Sequence, residues 1–447
     1  MYLTECVRLL QPRSKGVVTH PMITRLDERR PAVCAIAGAL CLAVAAARIV
    51  LALTTPAPDL VLDAAGYDDA GRRLAGEGYY AWVYPGDEVE HPAANAMHLP
   101  GYPAFLAALY TAVGVDTAPQ PLVSVVQAVL SGLTLWGVFL LGRDLKGPGT
   151  GLAATILGAA YLPFWWSYRY VLTEDLFAAL CVWAAWLLLS AIREEGRRAY
   201  IAYAAAGAVA SAATYVRVAS AAWMLLTGAI LLFLGGPERG RFLRGSGVVL
   251  LTVVLFFGPW WYRNSQIYGR FIPFNTMTSS GSLVASFDDR EELVEVLESL
   301  DRGHVDPPED IELDRKMASV ARTRTREALD TDPVGYVLRR TRLVAVSFFT
   351  YHPNPFGGFS GMGGVTEALH LAVLALAAVG LWVHRSRMAV WILAGLPLSL
   401  VAVHAVTLVY SRYLFPMMPF MIVLAGLGLA AAAPREPPEG VGSPTAA

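Results

Sequence analysis

The sequence predicts an all-α polytopic membrane protein with about ten transmembrane helices. Apolar residues make up 55% of the 447-residue chain and charged residues only 16%, more apolar surface than one soluble core consumes. That surplus falls in successive runs of about 18 to 22 residues, the length an α-helix needs to cross a bilayer. Short basic clusters recur on alternate connections between the runs, as positively charged loops retained in the cytoplasm do. A net charge of −1, with no basic domain apart from the membrane segments, excludes a nucleic-acid partner. The four cysteines show neither metal-ligand spacing nor a disulfide framework.

In chain order, residues 1–30 are too long and too charged for a cleaved signal peptide and read as a cytoplasmic tail, with Met22 as an alternative start. Residues 31–53 cross outward, so the loop 54–121 is external. The apolar run 101–115, about 15 residues bounded by prolines, is short for a span and reads as a helix lying on the membrane face. If it crossed, every later basic cluster would be external. With it on the surface, spans near 122–141, 151–166, 176–192, 201–215, 219–234, 247–261, 366–383, 390–409 and 414–432 return Arg143, Arg193, Arg239, Arg385 and Arg435 with their neighbours to the cytoplasm. The chain thus divides into a transmembrane module over 31–262 that includes the first loop, a mostly helical external segment over 263–364, C-terminal transmembrane helices over 365–433 and a disordered cytoplasmic tail over 434–447.

The chemistry concentrates in the first loop, LDAAGYDDAGRRLAGEGYYAWVYPGDEVEHPAANAMHLPGYP over 62–103. Asp63 and Tyr67 are one helical turn apart and share a face, with Asp68 and Asp69 just beyond. Asp87, Glu88 and Glu90 read as interfacial acids. Glu174 opens an apolar helix, where the helix dipole favours a carboxylate, and lies near Arg169 in sequence. Arg169, Arg217, Arg263 and Arg412 stand at the external ends of otherwise uncharged spans. One such arginine alone snorkels to lipid headgroups; four at one face, beside acids, form a clamp for the phosphate of an anionic ligand. His91 and His98 read first as surface residues, and external carboxylates leave a divalent cation open. No nucleotide-binding P-loop, GxSxG, HExxH or dinucleotide fingerprint is present, which excludes ATP-driven pumping and the common hydrolase mechanisms.

Asp63 with Tyr67, Arg73-Leu74-Ala75, Gly78-Tyr79 and Pro100-Gly101-Tyr102-Pro103 resemble the first external loop of GT-C type, polyprenyl-phosphate-sugar-dependent membrane glycosyltransferases, the superfamily of protein O-mannosyltransferases and aminoarabinose transferases. The resemblance continues through Thr173-Glu174, Pro259-Trp260 with Arg263-Asn264, Phe271-Ile272-Pro273 and Ser411-Arg412-Tyr413 with Pro416 and Pro419. It implies juxtamembrane helices in the first external loop. It also implies Asp63 as the general base, Glu174 as a second acid, and inverting transfer of a hexose or pentose from a lipid-linked donor at the outer face of a bacterial plasma membrane, in the service of the cell envelope. The arginines would hold the leaving phosphate, and Tyr67, His98, Tyr102 and Tyr413 would line the substrate site. Ala64 stands where the family often has a second acid, which leaves Asp68 and Asp69 as rivals to Asp63. The alternatives are a flippase for a lipid-linked sugar, which calls for mid-membrane acids or two related halves, and a catalytically inactive scaffold.

Overall fold

The structure, a computed structural model, describes residues 21–432 apart from 85–86, 88, 90, 116–119, 288, 301–305, 351–362 and 409–410. Residues 1–20, Glu88, Glu90 and the C-terminal tail therefore lie outside the described residues. All regular structure among the described residues is helical. Helix α1 (Pro21–Thr54) begins ten residues before the expected span and includes Met22. There follow α2 (Asp63–Gly76), α3 (Gly101–Val113), α4 (Gln120–Lys146), α5 (Pro148–Ala160), α6 (Glu174–Arg193), α7 (Gly196–Val216), α8 (Ala219–Leu234) and α9 (Arg239–Tyr268). The expected helical segment holds α10 (Ser280–Ala285), α11 (Arg290–Ser299), α12 (Glu309–Thr331) and α13 (Pro333–Phe349), and the chain closes with α14 (Gly363–His384), α15 (Met388–Val406), α16 (Ser411–Leu414) and α17 (Met418–Ala432).

Among the described residues, eight helical segments are long and apolar enough to cross a membrane, with mean hydropathy between 1.3 and 2.4. Two of the expected spans are shorter. At 13 and 16 residues, α5 and α8 extend roughly 20 and 24 Å at 1.5 Å per residue, less than the roughly 30 Å of hydrocarbon. Helix α5 stops at Tyr161, which is extended, because Pro163 has no amide hydrogen to continue the helical ladder and its ring would clash with the carbonyl four residues back, and the chain continues as two single 3₁₀ turns, Leu162–Trp165 and Ser167–Arg169. Exposed Leu225 and Phe233 on α8 and Leu250, Leu251 and Leu255 on α9 suit contact with lipid, while Phe420, Ile422, Val423 and Leu427 of α17 are wholly buried at the centre.

The bundle has two chemically distinct ends. Helices α1 and α4 run antiparallel, with Ala52 packed by Ala128 and Ala37 by Phe139. At the far end of α4, Asp144 pairs with Arg143 and Arg193, each at 2.7 Å. Arg387 donates to the Leu145 carbonyl at 2.9 Å and Arg241 to that of Ile192. The basic clusters thus gather at one end. At the other, α3 lies alongside α2 rather than crossing. Tyr102 meets Tyr67, Tyr110 donates to Asp68 at 2.5 Å, and Leu106 packs so closely on Gly71 that a Cβ there would lie 2.8 Å from the leucine's own.

Candidate active site

The polar side chains of the second end sit where helices begin or stop. Asp63 is the first residue of α2 and Glu174 the first of α6, positions where the amide dipoles stabilise a carboxylate. Arg217 directly follows α7, and Arg412 and Tyr413 belong to the short α16. Leu62, just ahead of Asp63, is held at φ 49°, ψ −128°, a conformation that costs a non-glycine residue about 1–3 kcal/mol and marks strained, functional turns.

These ends converge. Arg412 Nη2 lies 2.5 Å from Asp63 Oδ2 and 3.1 Å from the Tyr413 hydroxyl, and Arg217 Nη1 lies 3.3 Å from Glu174 Oε1. Both guanidinium groups rest on the Tyr413 ring, 4.7 Å from its centroid for Arg217 and 4.9 Å for Arg412, so one aromatic platform spaces the two cations. His404 stacks on the same ring at 5.3 Å, its Nδ1 2.8 Å from the Leu408 carbonyl oxygen. Tyr67 lies in the fields of Asp63, Arg217, Glu174 and Tyr413; burial first, then the Asp63 carboxylate, pushes its phenol up and keeps it neutral. His98 lies against Trp82 at 4.1 Å. Enclosure pushes it down to about 4, only partly opposed by Asp63, so it too is uncharged near neutrality.

The rival acids are committed elsewhere. Asp68 accepts from Arg72 at 2.7 Å and from Tyr110, and Asp69 from Arg73 at 3.2 Å. Asp63 is half-exposed, and Arg412 is its ion-pair partner among the described residues. Three expected ligands also sit apart from the cluster. The Arg263 guanidinium donates to the Tyr80 and Asn95 carbonyls at 2.7 and 3.0 Å and to Asn264 at 3.0 Å, which pins the first loop to α9 instead of facing a phosphate. Arg169 is drawn to the Pro56 carbonyl and lies over Trp166 at 4.7 Å; Glu174 is paired with Arg217 and not with this sequence neighbour. Tyr102 is buried behind Tyr67, its hydroxyl donating to Gln127 at 2.9 Å. His91 is exposed. Among the described residues no group of three or more His, Cys, Asp or Glu could hold a metal ion, and a cation taking both Asp63 and Glu174 would have to displace Arg412 and Arg217.

The sequence reading missed His404 and Arg48, and placed Asp175 beside Glu174 without giving it a role. His404 carried no signal, since only the fold brings α15 to Tyr413. Arg48, the single charge in the run 31–54, did carry one, because an ionisable residue inside a span is costly and is kept for a reason.

Beside the cluster, a largely apolar cavity of about 1570 Å³ lies between α13, α14, α15 and α17, lined by Phe348, Leu374, Leu398 and Met421 and, at its polar side, Arg322 and Arg340. Arg340 donates to the Ala405 and Thr407 carbonyls at 3.1 and 2.6 Å, the turn that carries His404 onto Tyr413.

No family model matches the chain, nor does any curated protein. Solved structures do. The oligosaccharyltransferase of Archaeoglobus fulgidus in its apo form superposes with a TM-score of 0.55 at 14% identity, over 90% of this chain and 50% of that one. The same enzyme in complex with an inhibitory peptide and a dolichol-phosphate gives 0.55 at 15% identity with the same coverage. The chain therefore shares its fold with the archaeal enzyme. The chain spans about half the length of that archaeal enzyme. ArnT from Cupriavidus metallidurans bound to undecaprenyl phosphate is a looser likeness, with a TM-score of 0.45 at 11% identity over 88% of this chain and 77% of that one.

Proposed function

We propose that the protein is an inverting glycosyltransferase that moves a sugar from a polyprenyl-phosphate donor to an acceptor at the external face of the membrane. The observation that carries this reading is the meeting of Asp63 with Arg412, across 349 positions of sequence, beside Glu174–Arg217 on the Tyr413 platform. Inverting transfer needs a base on the side of the anomeric carbon opposite the leaving phosphate, and cations where charge develops on that phosphate. Asp63 supplies the first, Arg217 and Arg412 the second. Two carboxylates and two arginines leave the cluster close to neutral. A donor phosphate competes for Arg412, and as that arginine turns to the phosphate the Asp63 carboxylate is released from its ion pair and free to take the acceptor's proton. Donor binding thereby switches on the base. The apolar cavity bordering Ala405 and Val406, next to His404, suits the lipid tail of such a donor. The archaeal oligosaccharyltransferase solved with dolichol-phosphate agrees with this reading.

The test is release of free polyprenyl phosphate from a radiolabelled polyprenyl-phosphate sugar by purified protein with a native membrane extract as acceptor. Release by the wild type that is lost in Asp63→Asn, with folding intact, is expected. Absence of release with every donor tried, together with movement of the donor across vesicles, would move the protein to the transporter class.

A further inference from the structure

Arg48 is a charge that the reaction above does not use. It lies six residues before the end of α1, about 9 Å below it at 1.5 Å per residue, and is fully buried. Nη1 donates to Ser131 at 2.6 Å, and the guanidinium packs on Trp165 at 5.0 Å and Tyr168 at 5.9 Å. Nε and Nη2, like the Tyr168 hydroxyl, have no hydrogen-bond partner among the described residues. A cation enclosed on such terms is strongly unfavourable unless an opposite charge faces it. That charge is Asp175. It is buried, accepts at 3.1 Å from Ser167, which lies between the Trp165 and Tyr168 that cover Arg48, and each group lies in the other's electrostatic field.

Asp175 directly follows Glu174, and the chain leading to both has little structure of its own. Between α5 and α6 it forms only two single 3₁₀ turns, so tethers from α4 and α1 place it. Gln127 donates to the Tyr168 and Tyr170 carbonyls at 2.9 and 2.7 Å, and Ser124 to that of Arg169 at 3.1 Å. Those neutral bonds fix the backbone; they leave two adjacent carboxylates at the first turn of α6, Glu174 paired with Arg217 and Asp175 turned to Ser167 and into the field of Arg48. We propose that Arg48 offsets the charge of Asp175 across the bundle interior and so holds the first turn of α6, where Glu174 meets Arg217. Arg48 and Asp175 are thus positioning residues for the phosphate clamp. This inference rests on the transferase reading.

The experiment compares kcat/KM per folded molecule for a polyprenyl-phosphate sugar, together with thermal unfolding, in the full-length wild type, Arg48→Met, Asp175→Asn, the double variant and Arg48→Lys. Arg48→Met leaves Asp175 uncompensated beside Glu174 and Asp175→Asn leaves Arg48 uncompensated, so each single change is expected to lower kcat/KM about tenfold or more. The double variant, with neither charge, is expected within about threefold of wild type, and Arg48→Lys to recover most of the loss. A merely structural role predicts reduced folded yield at unchanged kcat/KM. That result, or a double variant no better than Arg48→Met, would overturn the proposal. If the wild type itself releases no polyprenyl phosphate, the transferase reading has failed instead. The pairing is then decided by unfolding temperature alone: a double variant closer to wild type than either single sustains it, and additive losses sink it.

Discussion

Asp63, Asp68 and Asp69 are chemically alike, and their surroundings separate them. Asp68 and Asp69 each hold an arginine one turn further along α2, pairs that stabilise a helix by a few tenths of a kcal/mol. Asp63 holds Arg412 from the other end of the chain. Asp63→Asn should therefore lower kcat by about 10²–10⁴-fold, the usual contribution of a general base, while Asp68→Asn and Asp69→Asn should cost less than about tenfold and act through stability. Donor turnover by the three purified variants decides it. His98 gives a second prediction. With its folded value pushed down to about 4 against an unfolded value near 6.5, the unfolded chain binds more protons between those limits. Stability then rises with pH through that window, is complete above about 6.5, and is lost as pH falls toward 4. Thermal unfolding followed from pH 4 to 7 should show this slope in the wild type and a shallower one in His98→Gln. Residue identity in the sequence was enough to nominate these groups, because few side chains carry charge in so apolar a chain. It was not enough to rank them.

At the scale of elements, the first loop works as a set of docked pieces. The chain enters α3 at Gly101, where a Cβ would lie 2.4 Å from the carbonyl carbon of Tyr215, so only glycine lets α3 seat against the end of α7, two residues before Arg217. Gly101→Val should cost about 1–3 kcal/mol as an overpacked contact and lower turnover more than Gly76→Ala, whose Cβ meets only Val115 at 3.9 Å; paired unfolding and activity measurements test this. The stretch 80–98 stands on Arg263 and on Tyr268, whose hydroxyl accepts from the Ala96 amide at 2.8 Å and donates to Asp310 at 2.6 Å. Arg263→Gln is expected to expose this stretch to protease and to lower kcat. A rise in donor KM with the loop still protected would instead make Arg263 a phosphate ligand. Proline, glycine and hydropathy made the helices themselves legible. The early stop of α5 was legible in principle too, at Leu162-Pro163, but a continuous apolar run concealed it. The distinction between tether and ligand was not legible, since a guanidinium at the end of a span looks the same in sequence whichever oxygen it meets.

For the molecule as a whole, all the site residues gather at one end of the bundle and the basic clusters at the other. By the positive-inside rule, we propose that the site faces the outside of the cell. Single cysteines at Asp59 and Glu195, both exposed, in an otherwise cysteine-free chain test the orientation. A membrane-impermeant maleimide should label Asp59→Cys in intact cells and Glu195→Cys only after permeabilisation, and the reverse pattern would turn the protein over. Hydropathy and charge determined the class of the protein, its helices and the way they alternate, because lipid imposes the same length and polarity on every span regardless of its neighbours. Tertiary structure decided which of the available acids and arginines face each other. Asp63 and Arg412 come from opposite ends of the chain, His404 reaches the site only because α15 packs beside α16, and Arg263 was removed from the clamp by the carbonyls of Tyr80 and Asn95. Pairings of this kind depend on distances of a few ångströms between segments hundreds of residues apart, and no local pattern in the sequence encodes those distances.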